Sequence, residues 1–311
     1  FPTRRSSDLG DMGAVYTIPK AVTVPRNDGF IVDDTKLTET FLIKDAETLQ
    51  TFLTAAKDYE AGQHATIVKD IDLTGVTLTP ATKFLGTLDG RNHSLKNWTS
   101  DGVALFNEIS YTGTTGATVR NLQIDESCML TPLLGSQHFG FIARMVSAYS
   151  VLENCENRAD VKVTAETMGS TYFGTLVGKS YGIIRNCRNT GDVELNITGD
   201  VTSNVYMGCI MGYSNIQTQS ALGGEYVYCM KDSQNSGNFL FTVGGHACNV
   251  FLGGVSSGTS CGALSETSAN KGTFKNCVNT GTVQYIVKNG GALEDDAGAA
   301  GKNDAYINMG G

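Results

Sequence analysis

Several features that mark common protein classes are scarce in this sequence of 311 residues. Only 17% of the residues are charged and the formal net charge is −8. Basic residues do not alternate with aromatic ones in any cluster, which excludes the usual pattern of a nucleic-acid-binding protein. No apolar run reaches the roughly 18 residues that suggest a membrane-spanning helix, so no transmembrane span is expected. Apolar residues almost never recur at helical spacing after residue 60, which excludes a mainly helical fold.

Cysteine and histidine patterns of functional sites are missing as well. The eight cysteines show no framework spacing and no C-x-x-C pair, so a disulfide-rich scaffold is not expected. The four histidines are scattered along the chain at His64, His93, His138 and His246. The sequence therefore predicts no metal site and no cofactor.

What the sequence does contain is a repeat. A twelve-residue pattern occurs as LENCENRADVKV (152–163), IRNCRNTGDVEL (184–195), MKDSQNSGNFLF (230–241) and FKNCVNTGTVQY (274–285), with a short copy, VRNLQI, at 119–124. Each long copy follows a segment that combines aromatic residues with glycine: HFGFIARM, YFGTLVG, VYMGCIMG and VFLGGVSSG. Units of 32 to 46 residues that recur in this way indicate a solenoid, in which each unit buries its apolar side against its neighbours.

The pattern within each unit is that of β-strands. Apolar and polar residues alternate in DVKV (160–163) and DVELNI (192–197), and glycine, asparagine and aspartate separate such runs. We therefore predict an all-β fold, a right-handed parallel β-helix with about three short strands in each rung. Asp45 is predicted to cap a helix over residues 46–57, whose apolar face would cover the open end of the first rung.

Two columns of stacked side chains follow from the repeat. Cys155, Cys187, Ser233 and Cys277 share one repeat position, and Asn157, Asn189, Asn235 and Asn279 share another, at a corner. The cysteine column would be either a metal or disulfide site or a row of small, buried, inert thiols, and the interruption by serine favours the second interpretation. Stacked amides can satisfy one another and the nearby backbone, so the asparagine column is interpreted as structural.

The two ends of the sequence look different from its middle. Residues 1–9, FPTRRSSDL, match the translation of a common sequencing adapter and are left out of the fold prediction. Residues 10–40 are expected to be a linker or the tail of a missing upstream domain, and residues 41–311 the β-helix. The final AYINMGG (305–311) resembles the opening of another rung, so we expect the β-helix to be truncated there.

Several segments in order carry a resemblance to a known group. These are DIDL (70–73), F-x-GTLDG-x-NHSLKN (84–97), ALF-x-x-I (104–109), ATVRNL (117–122), and the repeated FG-x-L-x-G and I-x-NC-x-NTGDV. The chain from about residue 40 to 311 resembles the right-handed β-helix surface proteins of bacteria that contain GLUG-type repeats. That resemblance implies exposure outside the cell or on its outer surface, and an adhesin-like or glycan-binding role. The partners it implies are host or environmental glycans or another surface protein.

Function is predicted less firmly by the residues than fold is. The favoured hypothesis is a non-catalytic binding module, because long excursions from the rungs would gather on one flank, where Tyr213 and Tyr226 could stack on a sugar or simply pack the loop. A polysaccharide lyase or hydrolase is the alternative, and a structural stalk is a third. An enzyme would need carboxylates in one cleft, and Asp70 with Asp72 share one strand face. The other candidate acids are Asp89, Asp160 and Asp192.

Overall fold

The computed structural model describes residues 15–17, 38–131, 137–214, 229–258, 274–288 and 307–310. Within these ranges the chain winds through short parallel strands that pair from one rung to the next, so the all-β parallel β-helix predicted from the sequence is confirmed. The right-handed sense of the coil stays a prediction.

Four sheets run along the coil, and each strand pairs with its counterpart in the next rung. Sheet 1 begins with Thr38–Ile43, His64–Ile67, Ile71–Asp72 and Thr87–Lys96, and it continues through Thr118–Ile124, Val151–Glu153, Ile183–Arg185, Met230–Lys231 and Phe274–Lys275. Its short continuation strands are Glu156–Asn157, Arg188–Asn189, Gln234–Asn235 and Val278–Asn279. Sheet 2 contains Val161–Ala165, Val193–Ile197, Phe239–Val243 and Val283–Val287.

The remaining sheets form the other flank of the coil. Sheet 3 contains Gln137–Phe139, Thr171–Phe173, Val205–Gly208, Val250–Gly253 and Ile307–Gly310. Sheet 4 contains Phe106–Ile109, Ala143–Val146, Val177–Ser180 and Met211–Ser214. Two small pairs lie outside these four sheets: Thr99–Ser100 lies parallel to Met129–Leu130, and Tyr111–Thr112 forms a hairpin with Thr115–Gly116.

A rung contains more strands than the alternation pattern predicted. The coil at 151–180 holds five strands rather than about three, because corners divide the predicted segments. One corner follows Val151–Glu153, where Asn154 adopts the left-handed conformation with φ 52°. Asparagine tolerates that conformation better than most residues do, which explains why Asn or Asp recurs there. The other left-handed residues of this corner are Asn121, Asn186, Asp232 and Asn276.

The helix lies where the sequence placed it. Ala46–Ala55 is an α-helix, followed by a 3₁₀ turn at Ala56–Asp58. Asp45 accepts a hydrogen bond from the Thr48 amide at 2.9 Å, and the Thr48 hydroxyl oxygen accepts one from the Asp45 amide at 3.0 Å. This capping box fixes the start of the helix, and its apolar face is buried in the first rungs through Leu49, Phe52, Leu53 and Ala56.

β-structure begins earlier than the predicted boundary at residue 41. Val15–Thr17 pairs antiparallel with Thr38–Ile43, so part of the segment expected to be a linker forms an outer strand of sheet 1. The prediction missed it because three residues are too few to show alternation. At the other end, Ile307–Gly310 pairs parallel with Val250–Gly253 and so lies in the next rung.

Candidate functional site

The asparagine column runs inside the coil as a chain of hydrogen bonds. The Asn157 amide donates to Asn189 Oδ1 at 2.8 Å, Asn189 donates to Asn235 Oδ1 at 2.8 Å, and Asn235 donates to Asn279 Oδ1 at 2.7 Å. Each Nδ2 also donates to the carbonyl two residues later, as Asn189 does to Gly191 O at 2.7 Å. The first three amides are buried, and all of this donor capacity is used inside the protein, so the column offers nothing to a ligand.

The cysteine column lies next to it, and three of its four members are buried. Cys155 and Cys187 are buried with free thiols, and the Cys187 amide donates to Ser233 Oγ at 3.1 Å. Burial, together with the neighbouring Cys187 thiol, raises the pKa of Cys155 well above its usual range. Cys277 is partly buried and also has a free thiol. Burial also raises the pKa of the Cys277 thiol, and a protonated thiol is a poor nucleophile, so the column fits the interpretation as inert thiols.

Each candidate acid contacts its own neighbouring residues rather than facing a cleft that the acids share. Asp70 contacts Lys96 Nζ at 2.7 Å, His93 Nδ1 at 3.3 Å and the Ser94 amide at 3.0 Å. Its pKa is held at about 2, first by the Lys96 contact and then by the Ser94 amide. A carboxyl with so low a pKa is ionised at neutral pH and is a weak base.

Asp72 does not join Asp70 at a common ligand position. Its Oδ1 accepts from the Thr74 hydroxyl at 2.6 Å and from Asn97 Nδ2 at 3.0 Å, and these bonds lower its pKa to about 2. The expectation that the pair meets a ligand together is therefore not supported by their contacts. Of the two, only Asp72 lies in a strand, Ile71–Asp72, and each carboxylate is held by its own local partners.

The other three candidate acids connect rungs. Asp89 binds Arg120 and the Asn121 amide group, Asp160 accepts from the backbone of Asp192, and Asp192 accepts from the backbone of Asn238. Within the described ranges, no three His, Cys, Asp or Glu side chains are grouped so that they could hold a metal ion.

An aromatic surface that the sequence prediction missed crosses the rungs of sheet 3. His138, Tyr172, Tyr206 and Phe251 occupy the same strand position in four successive rungs, and we call them the aromatic ladder. The Tyr172 and Tyr206 rings stack with centroids 5.0 Å apart and an interplanar angle of 5°, and Tyr206 and Phe251 stack at 4.7 Å and 2°. His138 meets Tyr172 edge-on at 4.9 Å. All four residues are half-buried, so the ladder forms part of the protein surface.

Sheet 4 contributes the second side of this surface. The Tyr213 ring is tilted by 50° to the rings of both Tyr172 and Tyr206, with centroid distances of 5.8 and 4.8 Å. Lys179, which pairs with Tyr213 across sheet 4, places its ammonium 5.0 Å from the centroids of both Tyr172 and Tyr181. The predicted binding residue Tyr213 thus belongs to a larger aromatic cluster. Tyr226 lies outside the described residues.

Glycines within the strands of sheet 4 allow sheets 3 and 4 to approach each other closely. A Cβ on Gly178 would lie 2.6 Å from the Phe139 nitrogen, and one on Gly212 would lie 2.6 Å from the Phe173 nitrogen. In the first of these rungs Arg144 takes the equivalent position, and its guanidinium donates to His138 O at 3.3 Å and to Gln137 Oε1 at 3.0 Å. The sequence signal was the recurrent aromatic-x-Gly of HFG, YFG, YMG and FLG, with a second glycine four residues after the first in two copies.

The local charge around the ladder is positive. Burial first, and then the positive charges of Lys179 and Arg144, together lower the pKa of His138 to about 4. His138 is therefore neutral at neutral pH, and the two other side chains carry the charge. Burial also raises the pKa of Tyr206, so the tyrosine hydroxyl stays protonated and can donate a hydrogen bond.

Comparisons with known proteins add little. No protein-family model matches the chain, and no curated protein matches it. A crystal structure from Bacteroides ovatus, described as a "putative immunoglobulin A1 protease", is similar with a TM-score of 0.48 and 16% sequence identity, over 90% of this chain and 84% of that chain. A likeness at this level carries no argument about activity. In the described ranges, neither helical segment has the length and apolar content needed to cross a bilayer.

Proposed function

We propose that this protein is a non-catalytic, adhesin-like module of a bacterial cell surface and that it binds glycans on the surface formed by the aromatic ladder, Tyr213 and Lys179. The observation that carries the proposal is the stack of Tyr172, Tyr206 and Phe251, with Tyr213 tilted against it. Tyrosine offers a sugar both an apolar ring and a hydroxyl that donates and accepts hydrogen bonds. The resemblance to β-helix surface proteins supports the same role.

The stacking decides how a sugar would make contact. Tyr206 has a ring on each face, so a ligand reaches its edge and its hydroxyl rather than its face. Tyr213 lies at a different angle and adds a ring in another orientation. Because the strand pairing fixes these rings before any ligand arrives, binding costs little side-chain entropy. Successive rungs lie about 4.8 Å apart, so a row of equivalent groups lies along the direction in which an extended polysaccharide would run.

The carboxylates are the reason why we propose a non-catalytic function. Asp70 and Asp72 have pKa values of about 2 and are held by neighbouring side chains, whereas a hydrolase needs a protonated acid beside a second carboxylate. None of the contacts made by the five candidate acids joins them to the aromatic ladder.

The test is affinity electrophoresis of the full chain in gels that contain a panel of neutral and acidic polysaccharides. We expect retardation by at least one polysaccharide, and its loss in Tyr206→Ala and Tyr213→Ala. Tyr111→Ala is the matched control, because that side chain is 42% exposed and packs against Tyr149, away from the ladder. No retardation by any polysaccharide would contradict the proposal and leave the structural stalk. New reducing ends or unsaturated products after incubation would instead identify a polysaccharide-cleaving enzyme.

A further inference from the structure

Lys179 is a cation held on an aromatic surface. Its ammonium lies between the rings of Tyr172 and Tyr181, at 5.0 Å from each centroid. Among the residues that the structure describes, no carboxylate lies within ion-pair distance of it. Glu108 occupies the same position of sheet 4 two strands away from Lys179, and its carboxylate accepts hydrogen bonds from the hydroxyls of Ser110 and Ser147. The aromatic rings therefore position the charge of Lys179 without neutralising it.

Arg144 brings a second cation to the same end of the aromatic ladder. It lies in the sheet 4 strand Ala143–Val146, at the position that Gly178 and Gly212 take in the next two rungs, and its side chain reaches the His138 carbonyl and Gln137 of sheet 3. Both of these acceptors are uncharged, and in the described part of the chain Arg144 forms no ion pair either.

Four cations on or beside sheets 1 and 2 are paired with carboxylates. Arg120 binds Asp89, Arg185 binds Glu153, Arg158 binds Asp125 and Lys162 binds Glu194, in each case between neighbouring rungs. Lys179 and Arg144 differ from these four cations in two ways: within the described residues neither has a carboxylate at ion-pair distance, and both lie where the aromatic side chains reach the surface. In a chain whose net charge is −8, this is a local reversal of sign.

We infer that the glycan bound at this surface is acidic, and that Lys179 and Arg144 receive its carboxylate or sulfate groups beside the aromatic ladder. This inference rests on the proposed function and names its ligand class. Charge complementarity favours an anion, because the two cations lack a counter-charge in the described structure and the tyrosine hydroxyls can donate further hydrogen bonds. The net negative charge of the whole chain opposes indiscriminate binding of polyanions, so attraction has to come from this surface.

The test compares polygalacturonate with its fully methyl-esterified form, which keeps the sugar and removes the charge. We expect the full chain to bind polygalacturonate at least about tenfold more tightly than the ester, because the ester lacks the charge that strengthens hydrogen bonds to Lys179 and Arg144. The Lys179→Gln variant should lose this roughly tenfold preference for polygalacturonate, and the Lys179→Arg variant should retain most of it. Lys162→Gln is the matched control, because Lys162 is 75% exposed and paired with Glu194 on sheet 2. Added salt should weaken the binding of polygalacturonate but not that of the ester.

The outcomes separate the two proposals. Equal affinity for both polymers, or an unchanged affinity in Lys179→Gln, would overturn the acidic-ligand inference while glycan binding stands. Preference for the ester or for other neutral polysaccharides would overturn it in the same way. Failure to bind either polymer would overturn the inference, and failure across the whole polysaccharide panel would overturn the proposed function as well. Circular dichroism and the melting temperature of each variant show whether a loss reflects unfolding.

Discussion

At the scale of single residues, the side chains that recur in each repeat form hydrogen bonds with one another and with the backbone, rather than groups that could bind a ligand. Asn189 shows this most clearly. Its side chain accepts from Asn157 and from the Thr175 hydroxyl and donates to Gly191 O and to Asn235, all inside the coil. A buried amide with four partners stabilises the fold only while every partner is present, because each group left unsatisfied in the interior is costly.

Replacing Asn189 should therefore destabilise the folded protein strongly. Asn189→Ala leaves two donors and two acceptors without their partner, and we expect the free energy of unfolding to fall by about 3 kcal/mol or more. Asn204→Ala is the control, since that side chain is exposed and its contacts with Asn249 and Tyr206 can be replaced by water, so its loss should cost under about 0.5 kcal/mol. Urea denaturation followed by circular dichroism measures both. Similar losses in the two variants would contradict a structural role for the buried column.

At the scale of elements, the helix closes the end of the coil at which the described rungs begin. The Phe52 ring packs edge-on against Tyr59, Phe84 and Phe106, so the helix covers the aromatic interior of the first rungs. Because each rung of a solenoid contacts only its neighbours, damage here should stay local.

We expect Phe52→Ala to cost about 3–5 kcal/mol locally. Hydrogen exchange should speed up in Thr38–Ile43, His64–Ile67 and Thr87–Lys96, while Val193–Ile197 and Phe239–Val243 keep their protection. Uniformly faster exchange over all these strands would show that the coil unfolds as one unit and that the helix is not a local cap.

The sequence predicted those helices and strands whose helical spacing or alternation extended over enough residues to be recognised. The helix over 46–57, the strands of sheet 2 and the position of the repeat were visible because alternation or helical spacing continued over four or more residues. Strands of two or three residues, such as Glu156–Asn157 and Val15–Thr17, show no periodicity and were missed. The ladder was missed for another reason. His138 and Tyr172 become neighbours only through the register between rungs, although the aromatic-x-Gly repeat contained that signal.

At the scale of the whole molecule, charge makes the coil sensitive to acid. The pKa of His138 is lowered to about 4, so between pH 6.5 and 4 the unfolded chain binds a proton that the folded protein does not. Asp70 and Asp72 have pKa values of about 2 in the folded protein, so between about pH 4 and 2 the unfolded chain again binds protons that the folded protein does not. Both effects have the same sign, so stability is lost as the pH falls.

We therefore expect the free energy of unfolding to fall in two stages below neutral pH. His138→Gln should remove the His138 contribution between pH 6.5 and 4 and leave the loss below pH 4, where the carboxylates act. Denaturation midpoints in urea at half-unit pH intervals measure this. The same slope between pH 6.5 and 4 in wild type and variant would show that His138 is not the group responsible.

The most direct test of binding at the aromatic ladder is hydrogen exchange by mass spectrometry, with and without polygalacturonate. We predict added protection in peptides that cover Gln137–Phe139, Thr171–Phe173, Val177–Ser180 and Val205–Gly208, and none in the sheet 2 strands Val161–Ala165 and Val193–Ile197. Protection confined to sheet 2, or unchanged exchange at saturating polymer, would contradict glycan binding at this surface.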